Sequence, residues 1–472
     1  VVAFFSWRLF YFRQLGLAEI PAPEILDEFD FVWSGKSWFK SGLPLGWSGF
    51  GAYREKSHSA DSVDMRNFEL YKGEERVNFS NRKKFEFPMT MIKEIDYGLG
   101  KMHLNLVAPY LDHPPLASWV YGLAKTGDSF ESTRPAEFRK ISLYLAVVSG
   151  FLIFVFLFIE KGLLTALLGF FIFQTAPSFI LLSRLSLAEN LIIPLSLLFL
   201  IFFEFYKNKP RPIFLILAGL ATGLAGLAKI PGLFLVLAGI LFLFFNKKLS
   251  FRNLTCFLLP CSIVFGLYPL YGLLVAPDLF LKIFVTQSSR RFFGSLTFLK
   301  QISFPKFKNF FIDGWWLGGW IIGLSSLFRG KKDDLAWLGL VSLLVVTSFM
   351  SAADFPWYFL TAIPFLVIFT TRFLMRIWQK PKLGELVFFA LVFLASAFHW
   401  GKYKIVPDSG SNLNIFRFFI LLLAAVGALP AGLKKRWWFK TSWYVLFLVI
   451  LHRLYLWNLR SLTYIVANWG NL

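Results

Sequence analysis

The sequence predicts an all-α polytopic membrane protein with about 13 transmembrane helices and a long first extracytoplasmic loop that carries interfacial helices. The 472 residues are 56% hydrophobic, and the mean hydropathy is +0.59. Charged residues make up 16% of the chain, whereas soluble domains carry about 25%. Apolar runs of about 20 residues, the length that crosses a bilayer, recur after residue 140. This composition excludes an ordinary soluble enzyme.

The apolar runs divide the chain into four segments. We interpret residues 1–12 as the remnant of a first transmembrane helix and residues 13–139 as an extracytoplasmic loop. Residues 140–457 form the predicted transmembrane core, and residues 458–472 form a short extracytoplasmic tail. The predicted spans of the core are 140–159, 162–182, 186–206, 212–228, 230–246, 253–275, 314–328, 335–351, 355–371, 384–400, 414–433 and 438–457.

Two stretches of the long loop are apolar but do not suit a transmembrane span. Residues 29–39 are rich in Phe and Trp with scattered charges, which is typical of a helix that lies in the membrane interface. Residues 116–124 are apolar but far shorter than the roughly 20 residues that a span needs. We therefore expect two interfacial helices, with residues 51–100 as a solvated excursion between them.

The net charge of +21 is explained by membrane orientation rather than by nucleic-acid binding. With residues 13–139 outside, the dense basic clusters fall on the cytoplasmic side, as the positive-inside rule expects. The exception is the outer loop at 276–312, which is also basic. Either an anionic partner such as a lipid phosphate or the tolerance of long loops for charge would explain it. The predicted inner loops contain Glu160–Lys161, Lys207–Arg211, Asn246–Lys248, Arg329–Lys332, Arg372–Lys382 and Lys434–Arg436.

Two acidic motifs mark the ends of the long loop. Asp27 and Glu28 stand near its start, and Asp112 and His113 stand near its end, just before two prolines. Acids held against a bilayer are costly and usually functional. We expect the two motifs to face each other and to form an active site at the membrane surface.

Cations are predicted to lie on the same side. Lys229 interrupts a run of small apolar residues and precedes Pro231 and Gly232, so we expect it at the turn between two spans. A Lys at bilayer depth costs about 2.5–3.5 kcal/mol, so it is either a phosphate ligand or a snorkelling side chain. Arg184 and Glu189 either take part in the site or pair with each other.

One carboxylate and several cations suit the transfer of a sugar from a polyprenyl phosphate. The leaving phosphate needs charge stabilisation, which Lys and Arg supply. The acceptor hydroxyl needs a base, which a carboxylate supplies. The acid and base pair of a glycosidase is not required, and a single base implies direct displacement with inversion at the sugar.

Several motifs resemble those of membrane glycosyltransferases with the C-type fold, specifically dolichyl-phosphate-mannose protein mannosyltransferases and bacterial aminoarabinose transferases. The similarity covers about residues 1–400 in order. The motifs that carry it are Asp27-Glu28, Asp112-His113-Pro114-Pro115-Leu116, Arg139, Ser183-Arg184 with Glu189, the run from Gly223 to Lys229, and Trp357-Tyr358.

The resemblance implies a polyprenyl-phosphate sugar donor, an extracytoplasmic active site, and Asp27 or Glu28 near the reaction centre. Relatives differ in their use of metal, so a divalent cation held by Asp27 and His113 remains open as the cofactor. The predicted catalytic residues are Asp27 and Glu28. The predicted ligands of the donor phosphate are Lys229, Arg184, Arg139, Arg290 and Arg291. The predicted substrate-binding residues are Asp112, His113, Glu189 and Tyr358.

The predicted activity is therefore a hexosyl or pentosyl transfer to an extracytoplasmic acceptor, which is a protein hydroxyl, a lipid or a glycan. Two alternatives remain open: a flippase or transporter of lipid-linked sugars, and an O-antigen-type polymerase or ligase. Transporters usually show internal repeats, and none is evident here. The expected location is a plasma membrane, with a bacterial inner membrane favoured, and the expected partners are the lipid-linked sugar, membrane lipid and the acceptor, without nucleic acid.

Overall fold

The fold of the chain is described from a computed structural model. It describes residues 26–55, 58–59, 62–64, 66–85, 89–96, 101–125, 133–289, 313–329, 334–350, 360–380, 382–389, 393 and 437–468. The helices in these ranges are α1 (Leu26–Ser41), α2 (Ala52–Glu55), α3 (Leu116–Gly122), α4 (Pro135–Lys161), α5 (Leu163–Thr175), α6 (Pro177–Leu182), α7 (Glu189–Asn208), α8 (Pro212–Ala228), α9 (Phe234–Phe245), α10 (Phe251–Val275), α11 (Pro277–Ser289), α12 (Trp316–Arg329), α13 (Leu335–Met350), α14 (Ile363–Gln379), α15 (Leu383–Phe389) and α16 (Trp437–Asn468).

The long loop contains β-structure as well as the two helices expected from its sequence. Seven strands form one four-stranded sheet in the order β1-β7-β6-β2 and one three-stranded sheet in the order β3-β4-β5. The expectation of an all-α chain is wrong for this region, which was predicted only as a solvated excursion. The strands are β1 (Gly46–Ser48), β2 (His58–Ser59), β3 (Ser62–Asp64), β4 (Glu69–Lys72), β5 (Glu75–Val77), β6 (Met89–Asp96) and β7 (Lys101–Ala108).

Helices of transmembrane length and composition dominate the rest of the described chain. Five qualify by both criteria: Pro135–Lys161, Glu189–Asn208, Phe251–Val275, Leu360–Gln379 and Thr441–Arg460. Shorter apolar helices accompany them at Leu163–Thr175, Pro212–Ala228, Ile230–Phe245 and Leu335–Ser348. The chain is therefore a multi-pass membrane protein.

Three predicted boundaries are wrong. Residues 276–312 were expected as a loop, but α11 occupies their first part. The span expected at 355–371 does not end there, because α14 continues to Gln379 through most of the predicted inner loop. The tail expected after residue 457 is helical as far as Asn468. In the last two cases the predicted element ended before a charged or polar residue, Arg372 or Asn458, although the helix continues past it.

Glycines set the closest helix contacts of the core. A Cβ at Gly219 would lie 2.1 Å from the carbonyl oxygen of Phe257, and one at Gly223 would lie 2.7 Å from that of Cys261. Helix α8 therefore packs against α10 at backbone distance, which small residues permit in membranes. This contact fixes the end of α8, where Lys229 caps the helix.

Helices α1 and α3 of the long loop cross each other at a similarly close distance. A Cβ on Gly35 of α1 would lie 1.9 Å from the carbonyl oxygen of Ser118 in α3. The hydroxyls of Ser34 and Ser118 are 2.6 Å apart. Because α3 directly follows the Asp112 motif, this crossing brings both acidic ends of the loop into one assembly.

The outer loop is anchored to the membrane core through α10. The Tyr271 hydroxyl donates to the carbonyl of Gly42 at 3.1 Å, and the Tyr268 hydroxyl donates to the carbonyl of Leu111 at 2.9 Å. The Arg82 guanidinium donates to the carbonyl of Leu274 at 2.5 Å. These contacts hold both the start and the end of the loop against the end of one long span.

Candidate active site

A buried ion pair joins the first acidic motif to the membrane core. The guanidinium of Arg139 donates to both carboxylate oxygens of Glu28, from Nε at 2.9 Å and from Nη2 at 2.5 Å. Their side chains are 0% and 1% exposed, respectively. A two-point pair of this kind fixes orientation as well as charge. It ties the first turn of α1 to the first turn of α4.

A polar network extends from this pair to the segment between α6 and α7. The backbone N–H of Ser186 donates to Glu28 Oε1 at 2.6 Å. The hydroxyl of Ser142 lies 3.4 Å from that of Ser186 and 3.3 Å from that of Tyr121. Tyr121 in turn donates to the carbonyl of Leu187 at 2.9 Å. Glu28 therefore accepts three hydrogen bonds while it is fully buried.

Three aspartates come together beside Glu28. Asp30 is buried, and its Oδ1 accepts the backbone N–H of Trp47 in β1 at 2.8 Å. Burial raises the pKa of Asp30 well above its usual value, and the nearby charges of Asp27 and Asp112 raise it further. Asp27 is only half-buried, in contrast to Glu28. The structure therefore brings the two acidic motifs together, as expected.

Tyrosines hold the second motif in place. The Tyr53 hydroxyl donates to Asp112 Oδ1 at 3.0 Å and accepts the backbone N–H of Leu111 at 2.8 Å. Burial raises the pKa of Tyr53, and the charge of Asp112 adds to this effect. Tyr110 is also buried, and the charges of Asp30 and Asp112 raise its pKa beyond the effect of burial. Both phenols therefore stay protonated, and Tyr53 is the hydrogen-bond donor to Asp112.

The cations of the site lie at the next two helix ends. Lys229 Nζ lies 2.6 Å from Glu189 Oε1, and their side chains are 12% and 3% exposed. The structure thus pairs Glu189 with Lys229. Arg184 is buried between α6 and α7, where burial and then the charge of Arg139 lower its pKa to about 10. As expected, Lys229 stands at the turn between two helices.

A small pocket opens beside His113. The centre of the His113 ring lies 5.5 Å from that of Phe31 and 6.2 Å from that of Tyr110. Tyr268, Tyr271 and Trp38 complete the aromatic wall. Helix α11 also reaches this place, because Gln287 Nε2 donates to the carbonyl of Asp112 at 2.5 Å. The pocket has a volume of about 10 Å³, which is about the space of one water molecule.

The described part of the chain has no group of three or more His, Cys, Asp and Glu residues that could hold a metal ion. Three site residues expected from the sequence, Arg290, Arg291 and Tyr358, lie outside the described residues. The remaining predicted residues of the site occupy two neighbouring groups. The first contains Asp27, Glu28, Asp112, His113 and Arg139, and the second contains Arg184, Glu189 and Lys229.

Three residues near the site, Asp30, Tyr53 and Ser186, were not predicted from the sequence. Asp30 lies three positions after Asp27 in α1. This spacing could have indicated that the two side chains share one face of the helix. No local signal marks Tyr53, which reaches Asp112 across 59 positions of the chain. Ser186 contributes only its backbone N–H, a group that every residue except proline carries.

Comparison with known proteins supports this fold. A family model described as dolichyl-phosphate-mannose-protein mannosyltransferase matches residues 112–270, which include Asp112, Arg139, Arg184, Glu189 and Lys229. No curated protein matches the chain. The sequence match is thus narrower than the expected range of residues 1–400.

Solved structures match over nearly the whole chain. ArnT from Cupriavidus metallidurans in the apo state aligns with a TM-score of 0.58 and 15% identity, covering 98% of this chain and 76% of ArnT. The same protein bound to undecaprenyl phosphate aligns with a TM-score of 0.54 and 15% identity, covering 98% and 77%. The expected resemblance is confirmed: this chain is a multi-pass membrane protein with the C-type fold of membrane glycosyltransferases.

Proposed function

We propose that this protein transfers a hexose or pentose from a polyprenyl-phosphate donor to an extracytoplasmic acceptor. The acceptor is a protein hydroxyl, a lipid or a glycan. The observation that carries the proposal is the different burial of two adjacent acids. Glu28 is sealed in an ion pair with Arg139, whereas Asp27 keeps partial access in the first turn of the same helix.

This division of roles gives the reaction one base in a fixed position. Asp27 takes the proton of the acceptor hydroxyl as the acceptor oxygen bonds to the anomeric carbon of the sugar. The bond from that carbon to the phosphate oxygen breaks at the same time, and polyprenyl phosphate leaves. A single displacement inverts the anomeric centre. Two carboxylates, as in glycosidases, are not needed because the phosphate leaves without protonation.

Lys229 is the best placed ligand for the leaving phosphate. It is the most accessible of the three predicted cations that the structure describes, since Arg139 and Arg184 are fully buried. Its ammonium group already faces Glu189, and it has three donors to share between carboxylate and phosphate. Arg184 lies in the adjoining segment, where its charge lowers the potential energy of a phosphate without direct contact.

Two further aspects of the proposal come from the fold neighbour and from the charge pattern. ArnT binds undecaprenyl phosphate, which supports a polyprenyl chain as the carrier here. The basic inner loops favour the extracytoplasmic face as the side of the site, in a plasma membrane that we take to be a bacterial inner membrane. The apolar faces of α4 and α10 toward lipid, which include Phe151, Leu259 and Ile263, offer room for the isoprenoid.

The test is a turnover assay on purified protein in detergent micelles. Radiolabelled polyprenyl-phosphate hexoses and pentoses are offered with a peptide, lipid or glycan acceptor, and released polyprenyl phosphate is measured. We expect wild-type protein to release it and Asp27→Asn to lose about 10²–10⁴-fold in rate while keeping donor binding. Absence of release by wild type with every donor would contradict the proposal and favour a transporter.

A matched variant controls for the loss of one acid from the outer loop. Asp64 is a carboxylate of the same loop that accepts hydrogen bonds from the backbone N–H of Arg66 and the side chain of Asn67. Asp64→Asn should turn over donor at the wild-type rate. An equal loss in both aspartate variants would show that the effect belongs to the loop as a whole rather than to the site.

A further inference from the structure

A second cavity lies among α12, α14 and α15 and is not part of the candidate active site. Its volume is about 650 Å³. One wall is apolar and includes Ile322, Phe369 and Phe388, whereas the other is polar. The polar wall consists of Ser325, Ser326, Asp334, Arg372, Arg376 and Glu385.

Helix α4 shows where this cavity lies in the membrane. Arg139 and Glu160 stand near opposite ends of α4, and a rise of 1.5 Å per residue separates them by about 30 Å. This distance equals the hydrocarbon thickness of a bilayer, roughly 30 Å. Arg139 belongs to the active site, and Glu160 pairs with Arg372 at 2.7 Å. The cavity therefore lies at the headgroup level of the opposite leaflet.

Two charged residues in the cavity wall, Arg376 and Glu385, are only partly satisfied by ion pairs and hydrogen bonds with their neighbours. Arg376 Nε lies 3.1 Å from Glu385 Oε1, and the Arg376 side chain is 56% exposed. The other carboxylate oxygen, Glu385 Oε2, is buried and has no hydrogen-bond partner among the described residues. A buried acceptor without a donor costs about 1–3 kcal/mol. The site therefore offers an exposed cation beside an anion that needs a donor.

The balance of charge indicates the chemistry of the occupant. Two arginines and two carboxylates line the cavity, so its wall is formally neutral. Arg372 is held between Glu160 and Asp334. Arg376 is therefore the arginine that can bind an anionic group of a ligand. A purely anionic group would leave Glu385 Oε2 without a donor. A group with both a phosphate and N–H donors satisfies both residues.

We propose that this cavity binds the headgroup of a zwitterionic phospholipid with a primary ammonium. The phosphate contacts Arg376, the ammonium donates to Glu385 Oε2, and an acyl chain follows the apolar wall with Phe369 and Phe388. The lipid would fill the space between α14 and α15 at the membrane face opposite the reaction. This site is independent of the proposed transferase activity.

Native mass spectrometry of the purified protein tests this proposal. Delipidated protein in detergent is titrated with phosphatidylethanolamine, phosphatidylcholine or phosphatidylglycerol of identical acyl chains. We expect one phosphatidylethanolamine to bind about tenfold more tightly than phosphatidylcholine, whose quaternary ammonium has no N–H donor. Glu385→Gln should abolish this preference, and Arg376→Gln should weaken binding of both lipids about tenfold.

A similar ion pair elsewhere provides the controls. Glu204 and Lys207 form a 3.7 Å ion pair near the C-terminal end of α7, and neither residue lines the cavity. Glu204→Gln and Lys207→Gln should bind all three lipids like wild type, and thermal unfolding without lipid checks that each variant is folded. Equal wild-type affinity for the three lipids, tighter phosphatidylglycerol binding, or an unchanged preference in folded Glu385→Gln would overturn the proposal.

Discussion

The two ends of helix α4 carry ion pairs of different kinds. Near its start, Arg139 and Glu28 are sealed from solvent, directly beside Asp27, which we propose as the base. At its end, Glu160 and Asp334 hold Arg372, whose side chain is 21% exposed, beside an open cavity. Helix α4 thus carries a desolvated ion pair, Arg139 with Glu28, near one membrane face. Near the other face it carries a partly exposed cluster around Arg372.

The difference shows that burial decides what a charge pair can do. Burying the two charges of a sealed pair costs free energy, and removing one partner then destabilises the protein strongly. Such a pair suits a contact that must keep the residues of an active site in fixed positions. A partly exposed cluster exchanges partners at lower cost, which suits ligand binding. The predictions below test this contrast from the largest expected effect to the smallest.

Breaking the sealed pair should have the largest effect on stability. Glu28→Gln removes the buried carboxylate that pairs with Arg139, so unfolding in detergent should become easier by about 3–5 kcal/mol. The double variant Glu28→Gln with Arg139→Gln should recover part of this loss, because no charge remains buried. Denaturant titration in micelles measures both, and a double variant less stable than the single one would contradict the assignment.

Breaking the partly exposed cluster should cost less. Arg372→Gln removes the partner of Glu160 and Asp334, whose side chains are 13% and 24% exposed. Solvent screens the charges left behind, so we expect a loss of about 1–3 kcal/mol. The same denaturant titration applies. A loss equal to that of Glu28→Gln would remove the distinction between the two ends.

Adding a methyl group at the crossing of α1 and α3 should separate the two acidic motifs. A Cβ at Gly35 would lie 1.9 Å from a backbone oxygen, and overpacking typically costs about 1–3 kcal/mol. Gly35→Ala should therefore lower both stability and donor turnover. Gly51→Ala is the matched control, because its Cβ would meet no atom within 4 Å, and it should behave like wild type.

Asp30 should give the smallest effect, visible as a pH dependence of stability. Its pKa is raised in the folded protein by burial and by Asp27 and Asp112. Its contribution to stability is therefore full below the unfolded pKa of about 3.9 and is lost as pH rises through the folded pKa. Asp30→Asn still accepts the N–H of Trp47, so its thermal midpoint relative to wild type should rise between pH 4 and pH 8. A constant difference would contradict the raised pKa.

Much of the membrane core was predictable from the sequence. The expected span at 212–228 coincides with α8, because Pro at its start and a Lys at its end interrupt the apolar run. Prediction failed where charged residues lie inside a helix. Arg372 and Arg376 of α14 were read as an inner loop, yet both are held by acids from other segments, which no local pattern reveals.

The outer loop was harder to predict because its structure depends on distant pairing. Strand β1 pairs with β7, so that Trp47 faces Leu106, and such pairing leaves little periodic signal in short strands. The closeness of Asp27 and Asp112 was expected from topology. The different burial of Asp27 and Glu28 was not expected, because it depends on which of the two adjacent side chains meets Arg139 in the core.

The most direct test of this account compares Asp27→Asn with Glu28→Gln in one experiment. Donor turnover and thermal unfolding are measured on the same purified preparations. We predict that Asp27→Asn unfolds like wild type but loses turnover, whereas Glu28→Gln loses stability and turnover together. Wild-type turnover by a folded Asp27→Asn variant would contradict the central claim that this carboxylate is the base of a sugar transfer.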